Sequence, residues 1–207
     1  MHINEVWSTN NHLYWENLLT IYWTRIKENR MEIEKELNNL KIDALINMSK
    51  EDWYDFLYNK YFYWKYTSPN RLVTTRFQLH KYLETDTLDE LNDIRKKIIT
   101  LNHDDIKKAL AVVQQIKGLG IAGASGLLAL LYPTEYATVD QFVVGALREI
   151  ESQKHFVEKM NPESLTLKNG VLLINIMKEK AKILNETNDT TFWTPRKVDM
   201  ALWAYRN

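Results

Sequence analysis

Almost every segment of this chain spaces its apolar residues at the intervals of three and four that are typical of helices. The pattern occurs in NHLYWENLLTIYWTRI, in TLDELNDIRKKIITL and in LTLKNGVLLINIMKEKAKIL. We find no convincing apolar–polar alternation of the kind that a half-buried strand would show. The sequence therefore predicts an all-α fold. Its 207 residues, of which 45% are hydrophobic, are enough to bury a good core.

Cap residues and prolines predict where several of these helices begin and end. Ser49 followed by Asp52 is the pattern of a capping box that opens a helix. Pro69 disfavours helical geometry at the residue before it and suits the first turn of the next helix. Thr194 is a candidate N-cap, and Pro195 after it is a first-turn residue of the last helix.

Four of the six glycines lie between Gly118 and Gly126. Gly118 and Gly120 flank Leu119 between two apolar segments, and glycine can take the positive φ that a very tight turn requires. We expect Leu119 to pack between the two helices. The bare N-terminus of the second helix would offer unpaired N–H groups and a positive dipole end to a phosphate. An ordinary αα-hairpin, whose small residues serve only packing, is the alternative interpretation.

The pattern Gly118-Leu119-Gly120-x-x-x-Ala124 resembles the helix-hairpin-helix motif of nucleic-acid enzymes. An apolar helix, a short loop containing proline and the residues VD of TVDQFVV follow it. Together these features resemble the helix-hairpin-helix (HhH-GPD) DNA glycosylase superfamily. The resemblance implies a DNA N-glycosylase whose partner is DNA, bound through its phosphate backbone and a flipped base.

The resemblance also implies the architecture, which is a two-lobed helical bundle. Residues 51–131 would form the bundle that contains the hairpin, and residues 132–207 a C-terminal lobe that carries the catalytic-type acid. Residues 1–50 would form helices that pack with the C-terminal lobe. The resemblance covers about residues 53–150 and does not reach the first fifty.

Asp140 occupies the place of the catalytic carboxylate in the family that the sequence resembles. A fixed carboxylate stabilises the oxocarbenium character that develops on a sugar when its N-glycosidic bond breaks, or orients the attacking water. The alternative is that Asp140 is simply the cap of a helix, and an acid in the first turn of a helix is common in any case. Thr138 and Gln141 fit a capping box, which assigns the cap to Thr138 and leaves Asp140 free.

The residues that would contact DNA follow from the same resemblance and from a basic, aromatic stretch. Residues 56–83 carry five basic and no acidic side chains, which are otherwise explained as ordinary solvated charges. We expect about half of the aromatic residues in YNKYFYWKY to be core. The predicted DNA-binding residues are Lys117, Gly118, Leu119, Gly120, Ala122, Gly123, Lys65 and Arg71. The predicted base pocket consists of Trp64, Tyr66 and Gln141.

The sequence departs from the bifunctional members of this family in two ways. Their Schiff-base lysine would stand at or beside Ala122, and no lysine occurs between Lys117 and Lys154. The chain also has no cysteine, so it cannot hold their iron–sulfur cluster. A monofunctional enzyme is therefore expected, in which water attacks and an abasic site remains. The histidines show no metal-ligand spacing and no nucleotide-binding motif occurs, so we expect neither a metal nor a cofactor.

Two further functions stay open at this point. The first is a helix-hairpin-helix DNA-binding protein that has lost the chemistry, which the net charge of zero and the absent lysine both allow. The second is a protein-interaction scaffold with no affinity for DNA. The N-terminal residues do not resemble a signal peptide, and the apolar runs are shorter than the ~20 residues of a membrane span. We therefore expect a cytoplasmic protein with no membrane partner.

Overall fold

The computed structural model describes residues 2–205, and all regular secondary structure in that range is helical. The predicted all-α class is thereby confirmed. The helices follow one another as α1 (Ile3–Thr9), α2 (His12–Arg25), α3 (Glu28–Asn38), α4 (Ile42–Ile46), α5 (Lys50–Asp55), α6 (Phe62–Lys65), α7 (Pro69–Glu84), α8 (Leu88–Ile99), α9 (Ile106–Val113), α10 (Ile121–Leu131), α11 (Gln141–Arg148), α12 (Glu151–Val157), α13 (Leu167–Thr187) and α14 (Pro195–Tyr205).

The cap and proline signals at Ser49, Pro69 and Thr194 are confirmed. Ser49 and Asp52 form a reciprocal capping box at the start of α5. Pro69 is in the first turn of α7, and the Thr194 hydroxyl accepts the N–H of Lys197 at 3.2 Å in the first turn of α14. The N-termini of these helices depend on local hydrogen bonds and backbone geometry, which can be predicted from the residue types in the sequence.

One element was not predicted, a π-helical segment at Phe56–Tyr61 that joins α5 to α6. The N–H of Phe62 donates to the carbonyl of Leu57, five residues earlier, so the backbone is wider here than in an α-helix. The apolar residues stay on the buried side of the π-helical segment. Their spacing in the sequence therefore does not distinguish this segment from a regular α-helix. The residues that follow, Phe62 to Lys65, are rotated relative to an unbroken α-helix.

The centre of the core is α10, in which every residue except Ala122 is buried. It packs against α9, α13 and α14, and α2 packs along α14. The second helix of the chain therefore lies against the last one. The division into residues 1–50, 51–131 and 132–207 stays a prediction. Met1 in the first of these units, and Arg206 and Asn207 in the last, lie outside the described residues.

Candidate functional site

A cavity of about 390 Å³ is lined by residues of α2, α3, α6, α11 and α14 and of the segments next to them. Its size falls in the range of about 300–1,000 Å³ that small-molecule sites occupy. The residues that line it are Tyr22, Arg25, Ile26, Lys27, Arg30, Glu34, Trp64, Lys65, Thr67, Thr138, Asp140, Phe142, Val143, Arg196, Asp199 and Trp203. Helices far apart in the sequence therefore build a single concave surface.

Asp140 lies on the wall of this cavity and is also the N-cap of α11. Its Oδ1 accepts the N–H groups of Phe142 at 3.0 Å and Val143 at 3.3 Å. The predicted capping box of Thr138 and Gln141 is wrong, because the chain enters the helix two residues later than that pattern requires. The two backbone hydrogen bonds fix the carboxylate, whose side chain is 19% exposed.

The second oxygen of Asp140 faces a lysine. Oδ2 lies 3.6 Å from Nζ of Lys65, whose side chain is 8% exposed. Burial lowers the pKa of Lys65, while the negative charges of Asp140 and Asp199 act in the opposite direction. The missing side chain of Gly126 leaves space for two side chains, since a Cβ there would lie 2.8 Å from the hydroxyl of Tyr61 and 3.3 Å from Cδ of Lys65.

Hydrogen bonds to neighbouring helices fix the loop that carries Asp140. The N–H of Thr138 donates to Oδ2 of Asp199 on α14 at 2.6 Å. The N–H of Val139 donates to the buried hydroxyl of Ser125 on α10 at 3.0 Å. Because the two residues before Asp140 are fixed in this way, the backbone that leads to Asp140 is held between α10 and α14.

A buried ionic network forms one wall of the cavity, and its centre is Arg196. Its guanidinium lies 2.6 Å from Oδ1 of Asp199 and 3.5 Å from Oε1 of Glu34. Burial raises the pKa of Asp199, and the charge of Arg196 opposes that rise. Glu34 also accepts the indole N–H of Trp64 at 2.7 Å and the hydroxyl of Tyr22. These contacts hold Trp64 against the cavity.

Three basic side chains at the junction of α2 and α3 also line the cavity. Arg25 and Lys27 are exposed, and Arg30 is half-buried with its guanidinium 4.1 Å from the ring centroid of Tyr63. We call Arg25, Lys27 and Arg30 the basic rim. Positive charge at the mouth of a cavity favours anionic ligands.

The predicted tight turn lies between α9 and α10, away from the cavity lining. Gly118 has φ +97°, and a Cβ there would lie 2.7 Å from the carbonyl oxygen of Thr75. Leu119 is buried, as expected, with 7% of its surface exposed. Gly120 is the N-cap of α10 and supplies no capping side chain, so the first N–H groups of that helix have no side-chain acceptor at this position.

The structure brings together only some of the predicted site residues. Asp140, Lys65 and Trp64 share the cavity. Tyr66, predicted for the base pocket, lies against the turn instead, where its hydroxyl donates to the carbonyl of Gly118 at 3.3 Å. Gln141, also predicted for the base pocket, is exposed and does not line the cavity.

The remaining predicted DNA-binding residues do not line the cavity. Arg71 is exposed, and the ammonium of Lys117 lies 4.1 Å from the ring centroid of Tyr82. Ala122 is half-buried and Gly123 is buried in α10, where a Cβ on Gly123 would lie 2.6 Å from the hydroxyl of Tyr66. The turn and the cavity are thus two separate features of the surface.

Sequence reasoning missed the basic rim and the buried network of Glu34, Arg196 and Asp199. These residues belong to α2, α3 and α14, outside the stretch that carries the family resemblance. One signal was available, because Arg196 and Asp199 are three apart near the start of a predicted helix and therefore lie on one face.

In comparisons with protein-family models, curated proteins and solved structures, nothing matches this chain. Within residues 2–205, His, Asp and Glu side chains form no group of three or more that could hold a metal ion. Over the same residues, the helices are each too short or too polar to cross a membrane.

Proposed function

We propose that this protein is a DNA N-glycosylase, a two-lobed helix-hairpin-helix enzyme that removes a damaged or modified base and leaves an abasic site. The observation that carries the proposal is the position of Asp140. A carboxylate fixed by two backbone hydrogen bonds lies on the wall of a cavity large enough for a small ligand. The resemblance to the glycosylase superfamily also implies a catalytic carboxylate at Asp140.

The role of Asp140 follows from the chemistry of the N-glycosidic bond. Positive charge develops on the sugar as the base departs, and a carboxylate held in place stabilises that charge without reorganising. The N–H groups at the start of α11 hold the acid in position. Water then attacks the sugar carbon, and the base leaves with the electron pair of the broken bond.

Two further features would suit a nucleic acid strand. The basic rim at the cavity mouth would attract phosphates, and the first N–H groups of α10 beyond Gly120 offer a second phosphate site. The indole of Trp64, held by Glu34, and the ring of Phe142 line the cavity into which a base would be extruded.

The test is base release from duplexes that carry a panel of modified bases, followed by hot alkali to cut at abasic sites. We expect cleavage of at least one duplex, and a loss of about 10²–10³-fold in rate for Asp140→Asn. Asparagine is an equally good N-cap, so this variant should stay folded. Full activity in Asp140→Asn, or no cleavage across a broad panel, would contradict the proposal.

A second candidate is a DNA-binding protein of the same architecture without catalysis. The observation that favours it is the capping role of Asp140, which explains an acid at this position without any chemistry. It predicts that binding weakens as salt rises, that no base is released, and that Asp140→Asn binds as well as the wild type. Affinity that does not depend on salt, or no affinity for DNA, would exclude both candidates.

A further inference from the structure

We infer that the cavity binds a free nucleoside 5′-monophosphate, with its phosphate on the basic rim and its base among the aromatic side chains of the lining. This ligand is a small molecule, so its binding goes beyond the proposed function and does not depend on it. The basic rim belongs to residues 25–30, which lie outside the stretch that carries the family resemblance.

The first support is the charge of the cavity lining, which contains five basic and three acidic residues. The three acids form ion pairs with the two basic residues outside the rim, Lys65 and Arg196. Lys27 and Arg30 of the rim form no ion pair with any carboxylate in residues 2–205. Positive charge at the cavity mouth can therefore bind an anionic ligand.

The second support is the orientation of Arg30. Its guanidinium lies 4.1 Å from the ring centroid of Tyr63 and donates to the backbone carbonyl of the same residue. Because these contacts already restrain the side chain, it loses less conformational entropy when an anion binds. A guanidinium has five N–H donors in one plane, so donors that Tyr63 does not use can bind phosphate oxygens. Arg30 is thus the main phosphate-binding residue of the rim.

The charge of the rim and the size of the cavity fit one phosphate monoester. A monoester carries about −1.5 to −2 charges near pH 7, whereas each phosphate within a strand carries one. Apart from the rim, residues 1–55 contain ten acidic and three basic side chains, so positive charge on this part of the chain is concentrated at the cavity mouth. The volume of about 390 Å³ is near the lower end of the range for small-molecule sites, which suits a single nucleotide.

The third support is the aromatic part of the lining, to which Tyr22, Trp64, Phe142 and Trp203 contribute. The indole of Trp64 is fixed by its hydrogen bond to Glu34, at 2.7 Å. The rings of Phe142 and Trp203 meet edge to face, with their centroids 6.2 Å apart. Aromatic rings held in this way can stack on a nucleobase. A cavity that combines such rings with a cationic mouth favours a nucleotide over a sugar phosphate or a nucleoside.

The experiment is isothermal titration calorimetry of the full chain with the 5′-monophosphates of adenosine, guanosine, cytidine and uridine. Fragments of these ligands are titrated in parallel. The nucleosides lack the phosphate, ribose 5-phosphate lacks the base, and inorganic phosphate lacks both the base and the sugar. We expect at least one nucleotide to bind, and each of its fragments to bind more weakly by about tenfold or more.

Variants of the rim determine where the phosphate binds. Arg30→Met should weaken nucleotide binding by about 10–100-fold, because it removes hydrogen bonds between charged groups. Lys27→Met replaces an exposed side chain and should weaken binding less, and it decides the matter if Arg30→Met does not fold. Lys35→Met is the matched control, because it removes an exposed lysine of α3 that does not line the cavity. Lys117→Met removes a charge at the glycine-rich turn, and both controls should bind the nucleotide as the wild type does.

The inference is overturned if no nucleotide binds, or if a nucleoside, ribose 5-phosphate or inorganic phosphate binds as tightly as the nucleotide. It is also overturned if the rim variants bind like the wild type, or if Lys117→Met loses as much affinity as they do. Base release from DNA is measured separately. A failure to bind nucleotides would therefore leave the proposed glycosylase intact, and a failure to release bases would leave the nucleotide site intact.

Discussion

At the scale of single residues, Asp140 combines two roles that use different oxygens. Oδ1 accepts the N–H groups at the start of α11, and Oδ2 lies near Lys65. A capping carboxylate is ordinary in a helical protein. Its position on a cavity wall next to a buried amine is not required for capping, and this second feature is what supports a chemical function.

The capping role can be measured separately from the chemistry by comparing two variants. Asp140→Ala and Asp140→Asn both remove the charge that faces Lys65, but only asparagine can accept the N–H groups of α11. We expect the free energy of unfolding of the alanine variant to be lower than that of the asparagine variant by about 1 kcal/mol. Urea denaturation followed by circular dichroism measures it. Equal stabilities would mean that the cap contributes nothing.

At the scale of elements, the turn between α9 and α10 packs closely against α7. The carbonyl of Thr75 approaches Gly118 so closely that no side chain fits, and φ +97° is unfavourable for other residues. This pair of constraints explains why glycine stands at that position. The phosphate-binding role proposed for the same turn depends on Gly120, one residue beyond the buried Leu119.

Alanine substitutions at two glycines should therefore have opposite effects on stability. Gly118→Ala introduces a contact of 2.7 Å with backbone and a strained φ, and we expect a loss of about 1–3 kcal/mol. Gly145→Ala lies on the exposed side of α11 with no atom within 4 Å, and we expect a gain of about 0.5–1 kcal/mol. Thermal unfolding of both variants checks the pair. A Gly118→Ala protein as stable as the wild type would contradict this account of the turn.

At the scale of the whole molecule, local signals predict the helices, and long-range packing determines the site. The starts of α5, α7 and α14 depend on residues within a few positions of one another, so the sequence predicts them. The cavity depends on α2, α3, α6, α11 and α14 meeting in space. Tyr66 is directed away from the cavity and Lys65 into it. These directions depend on the π-helical segment, which the spacing of the apolar residues does not reveal.

Another long-range contact joins the two ends of the chain. Lys180 of α13 is 3% exposed, and its ammonium lies 4.5 Å from the ring centroid of Trp7 and donates to the carbonyl of that residue. It also donates to the side chain of Asn10. A buried lysine thus ties the first helix to α13, and it does so at the cost of removing a charge from water.

That cost makes the stability of the protein depend on pH in a predictable direction. Burial lowers the pKa of Lys180 to about 8, from an ordinary value of 10.5. Below pH 8 the folded and unfolded chains are both protonated here, and the penalty is complete. Between pH 8 and 10.5 the unfolded chain binds more protons, so this residue makes the free energy of unfolding rise with pH, by up to about 1.4 kcal/mol per unit.

Urea denaturation of the wild type and Lys180→Met from pH 7 to 10 isolates the effect, since all other titrating groups are shared. We expect the wild type to gain stability relative to the variant as pH rises, and a constant difference would show that Lys180 has an ordinary pKa in the folded protein.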